Sequence, residues 1–153
     1  MASHDTDILL VEDDPQDVEL ALFALRKSNL TSLIQVVRDG EEALDFLFCN
    51  GQFSGRSFNH PPRVVFLDLK LPKVDGLQVL RELKNDPRTK MIPIVVMTSS
   101  AEQRDLQEGY KLGVNSYIQK PVGFDAFQKL ITDLSYYWLK TNQISSPPVA
   151  ARA

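Results

Sequence analysis

Residues 64–72 read Val64-Val65-Phe66-Leu67-Asp68-Leu69-Lys70-Leu71-Pro72. Four apolar residues in a row, two of them β-branched, form a run too short for a helix. The lack of polar alternation fits a strand covered on both faces. The run ends in Asp68, so a carboxylate stands at the strand's carboxyl end. After Pro72 comes Asp75-Gly76, an N-cap signal, and then Leu77, Leu80 and Leu83 at helical spacing. Strand, loop, then helix is one β–α unit.

The same unit recurs on either side. Ile8–Val11, Leu33–Val37, Ile94–Met97 and Ser116–Ile118 read as four further strands. Between them Val18, Ala21, Leu22 and Leu25 follow helical spacing, as do Ala43, Leu44 and Leu47 in part. Leu106 and Tyr110 make a shorter stripe, and Phe124, Phe127, Ile131, Leu134 and Trp138 make the clearest one. Asp14 followed by Pro15 marks the first helix with an N-cap and a proline in its first turn. Five β–α units in series predict an α/β fold, a doubly wound parallel sheet with helices on both faces.

Composition agrees. The chain has 153 residues, 43% hydrophobic and 24% charged, with a net charge of −3. These values are globular rather than disordered and supply no broad basic footprint for nucleic acid. One cysteine, Cys49, excludes an internal disulfide framework. The polar, acidic start is no signal peptide, and no apolar run approaches the roughly 20 residues that span a bilayer. A cytoplasmic protein is the expectation, without membrane or nucleic-acid partners. Two segments break the rhythm. Residues 50–62 form a loop longer than most αβ connections, and residues 145–153 lack periodicity and read as a flexible tail.

In open α/β sheets, ligands bind beyond the carboxyl ends of the strands. There stand Glu12-Asp13-Asp14, Asp68, Thr98-Ser99 and Lys120-Pro121. Grouped carboxylates repel, and desolvating them is costly unless a cation compensates. Hard oxygen donors with an incomplete shell suit Mg²⁺, which keeps waters and takes one or two carboxylates plus a phosphate. A lysine and a hydroxyl beside them serve the remaining phosphoryl oxygens. The set points to phosphoryl transfer.

Leu9-Leu10-Val11-Glu12-Asp13-Asp14, Phe66-Leu67-Asp68-Leu69-Lys70-Leu71-Pro72 with Asp75-Gly76, Val96-Met97-Thr98-Ser99 and Tyr117-Ile118-Gln119-Lys120-Pro121 resemble the receiver domain of two-component response regulators. The resemblance covers about residues 7–140. Intervals of 55, 30 and 22 residues separate Asp13, Asp68, Thr98 and Lys120, also as in that family. It implies a single receiver domain over residues 1–144 with a flavodoxin-like strand order 2-1-3-4-5. Asp68 would accept a phosphoryl group from a phosphohistidine on a sensor histidine kinase. Asp13, Asp68 and the backbone carbonyl of Lys70 would ligate Mg²⁺ directly, and Glu12 would act through a water. Lys120 would pair with the phosphoryl oxygens and Thr98 would donate its hydroxyl to one. Tyr117 matches the aromatic that turns inward when Thr98 moves, and a cis bond between Lys120 and Pro121 would place the lysine.

The resemblance makes the chain a signalling phosphoacceptor rather than an enzyme, with output through the surface of the fourth helix, fifth strand and fifth helix. The physics fits. A carboxylate attacking an anionic phosphoryl group needs its charge offset, which a divalent ion and Lys120 supply. The added group carries about −1.5 to −2 charges, enough to bias a two-state element. The 50–62 insertion, the run Asp68–Lys73 and the ending Tyr136-Tyr137-Trp138-Leu139 are similar, more narrowly, to the small response regulators of cyanobacterial phytochromes. That likeness implies a phytochrome-type kinase, an unknown downstream protein, and a homodimer formed through the output surface and Tyr136-Tyr137-Trp138.

Other readings fit less well. A Mg²⁺-dependent aspartyl-phosphate phosphatase of the haloacid dehalogenase kind carries Asp-x-Asp on its first strand, whereas that strand here ends Glu12-Asp13-Asp14. A flavin module needs a hydroxyl-rich phosphate loop there, and no P-loop motif occurs. A degenerate receiver acting only as a binding module would have no need of the complete set Asp13, Asp68, Thr98 and Lys120. Asp14 reads as a cap rather than a metal ligand. Phe124, Phe127, Ile131 and Leu134 read as core, and Cys49 as a half-buried helix residue. His4 and His60 read as inert, without a second ligand at metal spacing.

Overall fold

The computed structural model of the chain describes residues 6–30 and 33–145. Strands β1 (Ile8–Val11), β2 (Ile34–Val37), β3 (Val64–Leu67), β4 (Ile94–Thr98) and β5 (Ser116–Gln119) alternate with helices α1 (Pro15–Lys27), α2 (Gly40–Leu47), α3 (Gly76–Lys84), α4 (Gln103–Leu112) and α5 (Phe124–Tyr136). All neighbours pair in parallel, in the order β2-β1-β3-β4-β5. This is the doubly wound, flavodoxin-like sheet that the β–α alternation and the resemblance led us to expect. Parallel neighbours need crossover connections, and α1 to α4 lie in the four that join the strands, while α5 follows the last strand.

The strands feed two cores because successive side chains point to opposite faces. Leu9, Val11, Val65, Leu67, Ile94 and Val96 pack with Ala43, Phe46 and Leu47 of α2 and with Val79, Leu80 and Leu83 of α3. Ile8, Leu10, Val64, Phe66, Val95 and Met97 pack with Ala21, Ala24 and Leu25 of α1 and with Phe127 and Ile131 of α5. Burial on both faces explains why β1 and β3 are apolar throughout. The caps behave as read. Asp14 accepts the Gln16 N–H at 2.9 Å and Asp75 accepts the Gln78 N–H at 2.9 Å. Asp39 caps α2 in the same manner, accepting the Glu42 N–H at 2.7 Å.

Four expectations need correction. Phe124 is not core. It opens α5 at the carboxyl end of the sheet, is 51% exposed, and leans on Phe23 of α1 with ring centroids 6.2 Å apart. The last stripe is not one α-helix either. After Tyr136 the chain widens into a π-helical turn, Tyr137–Thr141, closed by Asn142 N–H to Tyr137 O at 2.7 Å. That turn brings Leu139 into the core. Tyr110 is 54% exposed rather than core, its ring only leaning on Tyr117 with centroids 6.4 Å apart; α4 buries Gly109 instead, and a side chain there would meet the Tyr117 ring at 3.2 Å. Cys49 lies beyond the end of α2 with φ of 59°. The long loop contains a 3₁₀ turn, Gly51–Phe53. His4 and the tail beyond Ser145 lie outside the described residues.

Candidate functional site

The sheet topology carries four of the singled-out side chains to one place. Glu12 and Asp13 follow β1 directly, Asp68 follows β3, and Lys120 follows β5. A carboxylate oxygen from each of Glu12, Asp13 and Asp68 lies within 4.8 Å of the others. Glu12 and Asp68 are buried and Asp13 is exposed, so the cluster opens to solvent on one side. Packing from α3 holds Asp68. A Cβ on Gly76 would stand 2.3 Å from the Asp68 carbonyl oxygen, so only glycine lets the helix start so near the strand end. Gly76 N–H donates to Leu69 O at 2.8 Å, and Lys70 N–H donates to Asp68 Oδ1 at 3.3 Å. The Lys70 residue as a whole is exposed.

Lys120 neutralises part of the cluster. Its Nζ donates to Glu12 Oε1 at 2.6 Å, to Asp17 Oδ2 at 2.9 Å and to Asp68 Oδ2 at 3.1 Å. Burial pulls the ammonium's pKa down, but the bonds to Glu12 and Asp17 and the nearby charges outweigh it, and the net displacement is upward. Burial drives the Glu12 carboxyl up to about 7; the Lys120 bond opposes this and the Asp68 charge adds to it. One ammonium is too little for three or four acids. Hard oxygen donors with excess negative charge fit a divalent cation, and the donor set suits Mg²⁺ or Mn²⁺.

No peptide bond among the described residues is cis, so the Lys120–Pro121 expectation fails. Lys120 reaches the cluster without one. Its N–H bonds Thr98 O at 2.7 Å, which extends the β4–β5 ladder, and the carboxylates fix the other end of its side chain.

Thr98 is fully buried as the last residue of β4, and its hydroxyl accepts the Ser100 N–H at 3.2 Å. Ser100 in turn donates its own hydroxyl to Asp105 of α4 at 2.7 Å. Tyr117 lies half-buried on β5, and its hydroxyl is buried without a hydrogen-bond partner. Burial raises its pKa, with smaller contributions from Asp105 and Glu102. The contacts of its ring are with α4, through Gly109 and Tyr110.

Sequence reasoning missed Asp17, Ser100 and Asp105. An acid in the first turn of a helix reads as a complement to the helix dipole. Only the arrival of Lys120, 103 residues later in the chain, shows what else Asp17 touches.

Comparison with known proteins agrees with this geometry. Residues 8–132 match the response regulator receiver domain. The chain is 41% identical over 140 residues to the probable methanogenesis regulatory protein FilR2 of Methanothrix harundinacea, covering 92% of this chain and 88% of that one. It is 38% identical over 135 residues to the response regulator Rcp1 of Synechocystis, covering 88% and 89% respectively. The Mn²⁺-bound structure of Rcp1 superposes with a TM-score of 0.84 at 35% identity, over 91% of this chain and 98% of that one. The phosphorylated cyanobacterial phytochrome response regulator RcpA superposes with a TM-score of 0.86 at 37% identity, over 93% and 99%. Receivers bind a divalent metal at such an acidic pocket, and they imply a kinase partner. On match, fold and site together, the chain belongs to the response regulator receiver domain family.

Proposed function

We propose that the chain is a response regulator that takes a phosphoryl group on Asp68 in a Mg²⁺-dependent reaction. The observation that carries this reading is Lys120 Nζ at 3.1 Å from Asp68 Oδ2, inside a cluster of acids that suits a divalent cation. An Asp68 oxygen attacks the phosphorus of a phosphohistidine. The O–P bond forms, the P–N bond breaks, and the electron pair returns to the imidazole nitrogen, which takes a proton. Glu12, Asp13, Asp68 and the Lys70 carbonyl would hold the ion. When bound, the ion offsets charge on the phosphoryl oxygens. Lys120 turns its ammonium from Asp68 to those oxygens, and the Thr98 hydroxyl donates to one of them.

Thr98 cannot turn without disturbing the Ser100 N–H it now accepts, and Ser100 is tied to α4 through Asp105. This supports a readout at α4, β5 and α5, with Tyr117 as the residue that follows. The exposed Tyr110, Tyr136 and Tyr137 give the C-terminal half an aromatic surface for a second copy or a downstream protein. The likeness to RcpA supports a phytochrome-type histidine kinase as donor. Residues 1–144 act as one domain on this reading, in the cytoplasm; among the described residues no helix is long and apolar enough to cross a membrane.

Intact-mass measurement after incubation with acetyl phosphate tests the claim. Wild type should gain one phosphoryl group with Mg²⁺ and none with chelator, and Asp68→Asn should gain none. An Asp68→Asn protein phosphorylated as readily as wild type would overturn the reading.

A further inference from the structure

We infer that Asp17 is a positioning residue for Lys120, the anchor that holds the ammonium in place while Asp68 is phosphorylated. The inference rests on the phosphoacceptor reading above. Lys120 Nζ has three protons, and Glu12, Asp17 and Asp68 take one each. Two of those partners are claimed by the reaction. Asp68 becomes the acyl phosphate, and Glu12 belongs to the acidic triad that suits the cation. Asp17 belongs to neither, so its bond is the one for which neither the cation nor the phosphoryl group competes. A lysine is a point charge on a flexible four-carbon stem, and without a second anchor its head is poorly placed for an incoming phosphoryl oxygen.

Asp17 is well built for the task. It sits in the first turn of α1, behind the Asp14 cap and Pro15, on a helix whose Val18 and Ala21 are buried. A carboxylate on a rigid element holds its partner more closely than one on a loop. Its side chain is 26% exposed, against 5% for Glu12. Solvent therefore screens its repulsion of an anionic donor, while its contact with Nζ at 2.9 Å is direct. The competing role is simpler: an acid near a helix N-terminus complements the dipole and needs no lysine. The two roles differ in whether the effect of Asp17 depends on Lys120.

A double-mutant cycle on the full chain separates them, using wild type, Asp17→Asn, Lys120→Gln and the double variant. The first readout is the rate of aspartyl phosphate formation from acetyl phosphate at saturating Mg²⁺. Asp17→Asn should slow it by on the order of tenfold, the scale of one charge-assisted hydrogen bond, and by less than twofold once Lys120 is gone. Equal slowing in both backgrounds would assign the effect to the dipole or to net charge and overturn the inference. So would an unchanged rate in Asp17→Asn itself.

The second readout is urea unfolding in chelator, without phosphoryl donor. The midpoint lost on Asp17→Asn should be lost only where Lys120 is present; equal loss in both backgrounds would again overturn the pairing. Should Lys120→Gln not fold in chelator, Glu12→Gln becomes the reference and Glu12→Gln with Lys120→Gln the partner background, which removes one unpaired buried acid. This arm needs no phosphorylation. A wild type that forms no adduct but shows the coupling would sink the phosphoacceptor reading and leave the Asp17–Lys120 pairing standing.

Discussion

Glu12 shows how far one ammonium can go. It is 4% exposed and bonded to Lys120 at 2.6 Å, yet its carboxyl is pushed up to about 7, because burial beside Asp68 outweighs the bond. The folded protein therefore holds this proton to higher pH than the unfolded chain does. The Glu12 contribution to stability is full below about pH 4.5 and is lost as pH rises towards about 7. The difference is on the order of 3 kcal/mol. Urea unfolding in chelator at about pH 5 and about pH 7.5 should show wild type weakening across that window, and Glu12→Gln should flatten the change. A slope in Glu12→Gln equal to that of wild type would refute the assignment. Asp13, Asp68 and Lys120 were legible in the sequence because each ends a strand, and strand ends converge. Asp17 was not, since an acid one turn into a helix has an adequate local role already.

The 50–62 segment announced itself by length alone, but nothing local says what orders it. In the structure two guanidinium groups do. Arg56 lies over the Phe46 ring at 3.7 Å, donates to the Phe46 carbonyl, and reaches His60 O at 3.2 Å. Arg88 covers the Phe58 ring at 4.5 Å, and Phe58 meets Phe48 edge-on at 6.4 Å. Burial lowers the Arg56 pKa, as expected for a guanidinium set against the Phe46 ring. Arg56→Ala should cost about 2–3 kcal/mol in urea unfolding, the sum of a desolvated cation–π contact and backbone hydrogen bonds. Acetyl phosphate should label Asp68 in this variant as fast as in wild type, because the loop joins α2 to the amino end of β3, away from the site. A stability loss under about 0.5 kcal/mol would show that the stack only decorates a loop held by other means. The fourth helix shows the same limit of sequence reading. Its short stripe suggested an apolar face on Leu106 and Tyr110, but the closest packing is made by Gly109 on Tyr117. A residue with no side chain sends no periodic signal.

At the scale of the molecule, the helices divide between the two faces of the sheet, and the aromatic ending of the chain is left at the surface. Tyr136 is 59% and Tyr137 47% exposed, while the Trp138 ring meets the Tyr137 ring edge-on at 5.1 Å. If this surface joins two copies, wild type sediments at twice the 17.3 kDa chain mass and Tyr136→Ser/Tyr137→Ser sediments at the chain mass. A wild type that stays monomeric at high concentration, with and without beryllofluoride, would remove the dimer from the proposal. By itself the sequence determined the alternation of elements, the doubly covered strands, the starts of α1 and α3, and the acids and lysine at the strand ends. Those properties are local or periodic, and each residue shows them against its near neighbours in the chain. Only the tertiary structure decided that Asp17 shares Lys120, that Ser100 links Thr98 to α4, that Phe124 stays outside the core, and that the Lys120–Pro121 bond is trans. The first joins groups 103 residues apart, the third turns on how far a helix end overhangs the sheet, and the second and fourth, though close in sequence, turn on how their loops meet the rest of the fold. No pattern of neighbouring residues records such meetings.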